Sequence, residues 1–118
     1  MFRSLAACLL LAVSAVACAG CAAQPAWLLA KISELEGLPV ANPPRAILRT
    51  TYQGEPAYFL TPTCCDIPSE LYDQAGRLIC RPGGGFAGGD GGCPGFTPSP
   101  TAATVWRDLR GQHRRSPR

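Results

Sequence analysis

Residues 45–60 read RAILRTTYQGEPAYFL. Two runs rich in β-branched and aromatic side chains, Arg45–Tyr52 and Pro56–Leu60, flank the short glycine-bearing turn Gln53-Gly54-Glu55, which is the pattern of a β-hairpin. Toward the C-terminus a second reversal is written as Asp73-Gln74-Ala75-Gly76. An aspartate side chain caps such a turn and a glycine takes its positive φ, so Glu70–Tyr72 and Arg77–Cys80 are expected to pair as a second hairpin. Toward the N-terminus, Pro39, Pro43 and Pro44 keep Leu38–Pro44 extended. Before that, Pro25–Glu36 reads as a helix, with Pro25 suited to the first turn and Gly37 to the position past the end. Leu28, Ile32 and Leu35 share one face of it, with Trp27 or Leu29 beside them. Past the second hairpin, Gly83–Gly95 holds eight glycines in thirteen residues, too flexible for regular structure. Thr101–Arg110, led by Pro100 and stopped by Gly111, places Ala102, Val105, Trp106 and Leu109 on one helical face. It reads as a short closing helix or as part of a tail. The expected class is α+β: a small disulfide-stabilised domain with an N-terminal helix followed by two β-hairpins and a Gly-rich loop.

The first residues give an address. Met1-Phe2-Arg3-Ser4 supplies one positive charge and Leu5–Ala17 supplies thirteen residues without any, the layout of an export signal and too short to span a bilayer, which needs about 20. Ser14-Ala15-Val16-Ala17-Cys18-Ala19-Gly20-Cys21 follows, and it resembles the lipobox of bacterial lipoproteins. Cys18 fits the usual residue types slightly better, whereas cysteine parity favours Cys21. A cut before Cys21 leaves the lipidated residue plus Cys64, Cys65, Cys80 and Cys93, an even set. Plain secretion is the competing reading, because Ala15-Val16-Ala17 is also a small-x-small cleavage site. Neither Ala19 nor Ala22 is the aspartate associated with inner-membrane retention, so an outer-membrane address is preferred over the inner one. The expected organisation is therefore a lipoprotein-type signal at 1–20, an anchor segment at 21–26, a Cys-rich domain at 27–96, and a Pro/Arg-rich tail at 97–118.

Charge is distributed unevenly. Ala22–Phe96 carries five basic and seven acidic residues, and Thr97–Arg118 carries five arginines against Asp108 alone, so the net +3 belongs to the tail. Nucleic acid is not expected as the partner of an exported chain, and the tail reads as a solvated end.

A mature chain of under a hundred residues has a thin core, and in an oxidising compartment Cys64, Cys65, Cys80 and Cys93 are expected as two disulfides. The adjacent pair points to opposite faces if extended. The expected pairings are Cys64 with Cys80 and Cys65 with Cys93, or the reverse, each worth about 3 kcal/mol in the chain-entropy account. Structural zinc sites draw cysteines in pairs two to four residues apart, unlike this spacing. His113 is the only histidine and lies in the tail, so Cys-His and Ser-His-Asp arrangements lack support. Asp66, Asp73 and Asp90 are the remaining candidates for acid–base chemistry or calcium, although turn capping by Asp66 and Asp73 and amide binding by Asp90 explain them as well. No metal or other cofactor is expected.

Trp27–Phe96 resembles a family of small uncharacterised bacterial lipoproteins containing a domain of unknown function. The resemblance rests on Asn42-Pro43-Pro44, Tyr52–Phe59 with its Gln53-Gly54 turn, Cys64-Cys65-Asp66, Leu71-Tyr72-Asp73 with Gly76, and Cys80 through Gly84-Gly85 to Gly89-Asp90-Gly91 and Cys93-Pro94. Gly83 stands where the family has an aspartate. The resemblance implies a lipid-anchored envelope address and a core containing the Cys-Cys-Asp motif, and it carries no activity. The expected function is a non-enzymatic binding or structural domain held at the membrane by its lipid. Its partner would be an envelope protein or glycan, met by the glycine loop and the Tyr52, Tyr58 and Tyr72 region. The alternative is a small metal-binding or hydrolytic domain using Asp66, Asp73 and Asp90.

Overall fold

The computed structural model of the chain describes residues 24–64, 66–83 and 88–112. Helix α1 (Ala26–Glu36) precedes strands β1 (Ala46–Tyr52), β2 (Glu55–Leu60), β3 (Glu70–Asp73), β4 (Leu78–Cys80) and β5 (Ala103–Arg107). The strands form one antiparallel sheet in the order β4-β3-β2-β1-β5.

This overturns the expected α+β class of a helix, two hairpins and a loop: the domain is mostly a five-stranded antiparallel sheet with one short helix. The two hairpins are not separate units, because β2 and β3 pair from Ala57↔Asp73 to Leu60↔Glu70. Thr101–Arg110 is neither a closing helix nor a tail, since its centre pairs with β1. Thr104, Val105 and Trp106 are good strand formers, and the outer edge of β1 offers unpaired N–H and C=O groups for them to meet. Ile47 pairs with Trp106 and Leu48 with Thr104, which leaves Val105 as a bulge. The bulge turns the consecutive Val105 and Trp106 toward the same core, and that is why their spacing imitates a helix.

The cysteine pairing also differs from expectation. Cys80 is bonded to Cys93, thirteen residues on, with Cα atoms 6.0 Å apart. Cys64 is disulfide-bonded too, to neither of these, and Cys65 lies outside the described residues. Cys80 pairs in register with Leu71 and shares its face, so it meets the glycine loop folded beneath the sheet rather than the Cys64 loop.

Each face of the sheet has its own core. On one, Tyr58 and Leu60 of β2 pack with Ile47 against Leu28 and Leu35 of α1. On the other, Ala57 and Phe59 pack with Leu71, Cys80 and Cys93, and Phe96 closes the cluster. Burying a leucine such as Leu28 or Leu71, both fully enclosed, stabilises by about 1.5–3 kcal/mol.

Helix α1 crosses its face of the sheet and is held at both ends. At the start, the Trp27 indole donates to the Gln74 carbonyl at 2.7 Å and lies on Gly76 in the β3–β4 turn. At the end, Arg110, just past β5, donates to the carbonyls of Glu36 at 2.7 Å and Leu38 at 3.1 Å. The Glu36 carbonyl is one of the acceptors that a helix end leaves without internal partners, and Leu38 lies two residues past that end. The guanidinium is fixed by Asp108, whose side chain is 1% exposed, through bonds of 2.9 and 2.7 Å.

Gly76 has φ +83, and a Cβ there would lie 2.6 Å from the indole, whereas Gly54 has φ +80 and open space around it. Both positions therefore pay the left-handed penalty on substitution, but only Gly76→Ala also displaces Trp27. Urea unfolding should show Gly76→Ala less stable than Gly54→Ala by about 1–3 kcal/mol, the usual cost of overpacking.

Hydrogen bonds from Arg110 hold the Asp108 carboxyl down at about 2, against about 3.9 for an unfolded aspartate. A carboxylate lowered in this way contributes stability that is complete above about pH 4 and is lost as the pH falls toward 2. Asp108→Asn should be less stable at neutral pH and should lose less of its stability between those values. Urea midpoints measured across that range check both.

Candidate functional site

The three aspartates read as candidates do not converge. Asp73 Oδ1 accepts the backbone N–H groups of Ala75 and Arg77, each at 2.9 Å, and so caps the β3–β4 turn. Asp90 accepts from Gly92 through Oδ1 and from Arg81 through Oδ2, both at 2.9 Å. These backbone bonds hold its carboxyl below the usual carboxylate range. Asp66 is exposed in the short loop closed by the Thr63↔Ile67 bridge. Among the described residues, no group of three or more His, Cys, Asp or Glu side chains is arranged to hold a metal ion.

The described part of the glycine loop, residues 88–95, is a structural cover. Gly89 has φ +110, and a Cβ there would come within 2.8 Å of the Arg81 and Pro82 carbonyls. The loop thus lies against the chain leaving β4, where Asp90 and the disulfide hold it. The tyrosines expected at a contact surface are also structural. Tyr58 is buried and meets Trp27 edge-on, with ring centroids 5.3 Å apart, and Tyr52 stands edge-on to Phe96 at 5.6 Å. Cys18, Cys21, Cys65 and His113 lie outside the described residues.

What the fold does bring together is a charged cavity at the end of the sheet opposite the hairpin turns. It measures about 140 Å³ and lies between the second half of α1, the end of β2 and the start of β3. Lys31, Glu34, Arg45, Glu70 and Thr63 line it. Lys31 Nζ pairs with Glu34 Oε1 at 3.2 Å and stands 5.6 Å above the Tyr72 ring. The Tyr72 hydroxyl donates to Glu70 Oε2 at 2.7 Å, and Arg81 approaches the same oxygen at 3.9 Å. Burial first, and then this hydrogen bond to a carboxylate, push the Tyr72 phenol above its ordinary range. Arg45 is oriented by its bond to the Pro39 carbonyl at 2.7 Å. The Thr63 hydroxyl is buried and finds no hydrogen-bond partner among the described residues, an uncommon state for a buried polar atom.

Leu38 and Ile67 stand at the rim of this cavity, 42% and 53% exposed. Charges of both signs inside an aliphatic rim suit recognition of a partner that is itself part apolar and part charged. Sequence reading missed Lys31, Glu34, Arg45, Glu70 and Thr63. Lys31 and Glu34 at i,i+3 were the only local signal, and the others meet through the sheet. A larger, open depression of about 540 Å³ lies toward the other end, beside β1, where Arg49 is accompanied by the hydroxyls of Thr50, Thr51, Thr97, Ser99 and Thr101.

A phenol with a raised pKa favours the folded state up to about pH 10, and that contribution fades as alkali ionises it. The chain has three tyrosines. Tyr72→Phe should leave the phenolate absorbance step of the folded protein unchanged and reduce only the step that accompanies alkaline unfolding. Loss of amplitude before unfolding would show that Tyr72 titrates freely.

Among the described residues, no helix is long and apolar enough to cross a membrane. Neither a curated protein nor a solved structure matches the chain. A domain of unknown function, DUF6970, matches residues 33–108, a segment that runs from within α1 to the residue after β5. With most of its length in that match, including every strand of the sheet, the chain belongs to the DUF6970 family of unknown function.

Proposed function

We propose that the chain is a lipid-anchored envelope domain that binds a protein partner through the end of the sheet carrying the charged cavity. The observation that carries this reading is the pairing of exposed Leu38 and Ile67 with the Lys31, Glu34, Arg45 and Glu70 charges around one opening. The anchor is supported by the uncharged run Leu5–Ala17 and the small residues before Cys21. The buried Cys80–Cys93 disulfide accords with an oxidising compartment. A protein is favoured over a glycan at this opening because its rim is aliphatic. Tyr72, which bonds Glu70 and lies under Lys31, is packed against the core beside Tyr58 and is not free to stack on a sugar. The hydroxyl-lined depression beside Arg49 is the place where a glycan would fit instead.

A photo-cross-linking residue placed at Leu38 in cells should give a protein adduct from native envelope. Ile67→Asp should lower the yield about tenfold, which corresponds to about 1.4 kcal/mol of binding. Adducts to glycan strands, or a protein adduct indifferent to Ile67→Asp, would refute the reading.

A further inference from the structure

We infer that the hairpin-turn end of the domain lies against the bilayer, with Leu29 and Leu78 in the headgroup layer; this rests on the reading of Cys21 as the lipidated residue. Five peptide steps separate Cys21 from Ala26, the first residue of α1, and fully extended they span at most about 18 Å. Pro25 directs the chain into the helix, its carbonyl accepting from Leu28 at 2.9 Å and Leu29 at 3.3 Å. From there the eleven residues of α1 rise about 16 Å toward the end that holds the cavity. To present that far end to the membrane, the tether would have to double back along the whole helix and use nearly its full reach. The near end is the one that the anchor keeps at the surface.

The near end has the side chains for that position. Leu29 follows Trp27 by two residues on α1 and is 55% exposed, and Leu78 follows Gly76 by two residues at the start of β4 and is 39% exposed. Because Trp27 lies on Gly76, both leucines belong to the same end of the molecule. Arg77 stands beside Leu78 with its side chain largely exposed, and a long cationic chain next to aliphatic groups is suited to the boundary between headgroups and acyl chains. In this orientation Leu38, Ile67 and the charged cavity face away from the membrane.

The two tryptophans of the chain report on the two ends. Trp27 is at the near end, while Trp106 pairs with Ile47 and donates to Glu36 at the far end of α1. The acylated full-length mature protein would be reconstituted into vesicles of phosphatidylethanolamine and phosphatidylglycerol containing a phospholipid with a nitroxide on its headgroup. In Trp106→Phe, the emission of Trp27 should be largely lost on adding the nitroxide lipid. In Trp27→Phe, the emission of Trp106 should persist. Since Trp27 also holds α1, the wild-type chain labelled with fluorotryptophan gives a second reading, in which the Trp27 fluorine resonance broadens and that of Trp106 stays sharp. The double substitution Leu29→Glu with Leu78→Glu should restore much of the Trp27 signal while the protein remains vesicle-bound. Equal losses at the two tryptophans, or a Trp27 signal indifferent to the double substitution, would overturn the orientation and leave the anchor standing. An intact mass without acyl chains on Cys21 would remove both.

Discussion

Strand β2 is buried on both sides, and the rest of the domain answers that constraint. Tyr58 and Leu60 look to one face and Ala57 and Phe59 to the other, so two covers are needed where the described residues hold a single α-helix. Helix α1 supplies one. The glycine loop supplies the other, and it can do so only because its backbone comes close to the sheet: a Cβ on Gly92 would sit 3.0 Å from the Cys80 Cβ. Ordering Gly88, Gly89, Gly91 and Gly92 against the sheet is costly in conformational entropy. The Cys80–Cys93 bond offsets about 3 kcal/mol of that cost by closing the loop in the unfolded chain, and its sulfurs fill the second core directly. Glycines and disulfide are thus two parts of one solution.

The chain reversals were readable because their signals are local. Gly54 and Gly76 both take the positive φ that their turns require, and Asp73 caps the second turn with its side chain. The fold class was not readable, because it depends on which edges meet. Nothing local in Ala57–Leu60 says that it pairs with Glu70–Asp73 as well as with β1. The bulge at Val105 gives β5 the spacing of a helix, and the cysteine pairing is not legible because loop lengths alone do not say which face of the sheet Cys80 takes. The cavity escaped for the same reason. Lys31, Arg45 and Glu70 are far apart in sequence and are joined only when α1 lies across the sheet, while Asp66, Asp73 and Asp90 drew attention as titratable residues although Asp73 and Asp90 serve backbone amides.

The matched family segment, residues 33–108, contains all five strands and both cysteines of the Cys80–Cys93 bond, whereas Trp27 and Arg110 flank it. The sheet and its glycine cover therefore form the segment the family match describes, and the two clamps on α1 come from outside it. They act differently. Arg110 is an electrostatic clamp: it neutralises the buried Asp108 carboxylate and satisfies helix-end carbonyls with the same guanidinium. Trp27 is a packing clamp that depends on the bare backbone of Gly76.

The position of the Trp27 clamp has a mechanical consequence for an anchored domain. A tether attached before Pro25 would pull on the first turn of α1, the part of a helix with unsatisfied N–H groups and the greatest tendency to fray. Here no side chain caps that end, so a pull would ordinarily unwind it. The indole bond to Gln74 and the ring's seat on Gly76 carry the load across to the β3–β4 hairpin, which is tied into the sheet through β2. Under the proposed lipid anchor, force applied at the membrane would reach the sheet directly, and the far end with its charged cavity would keep its shape while the tether moves.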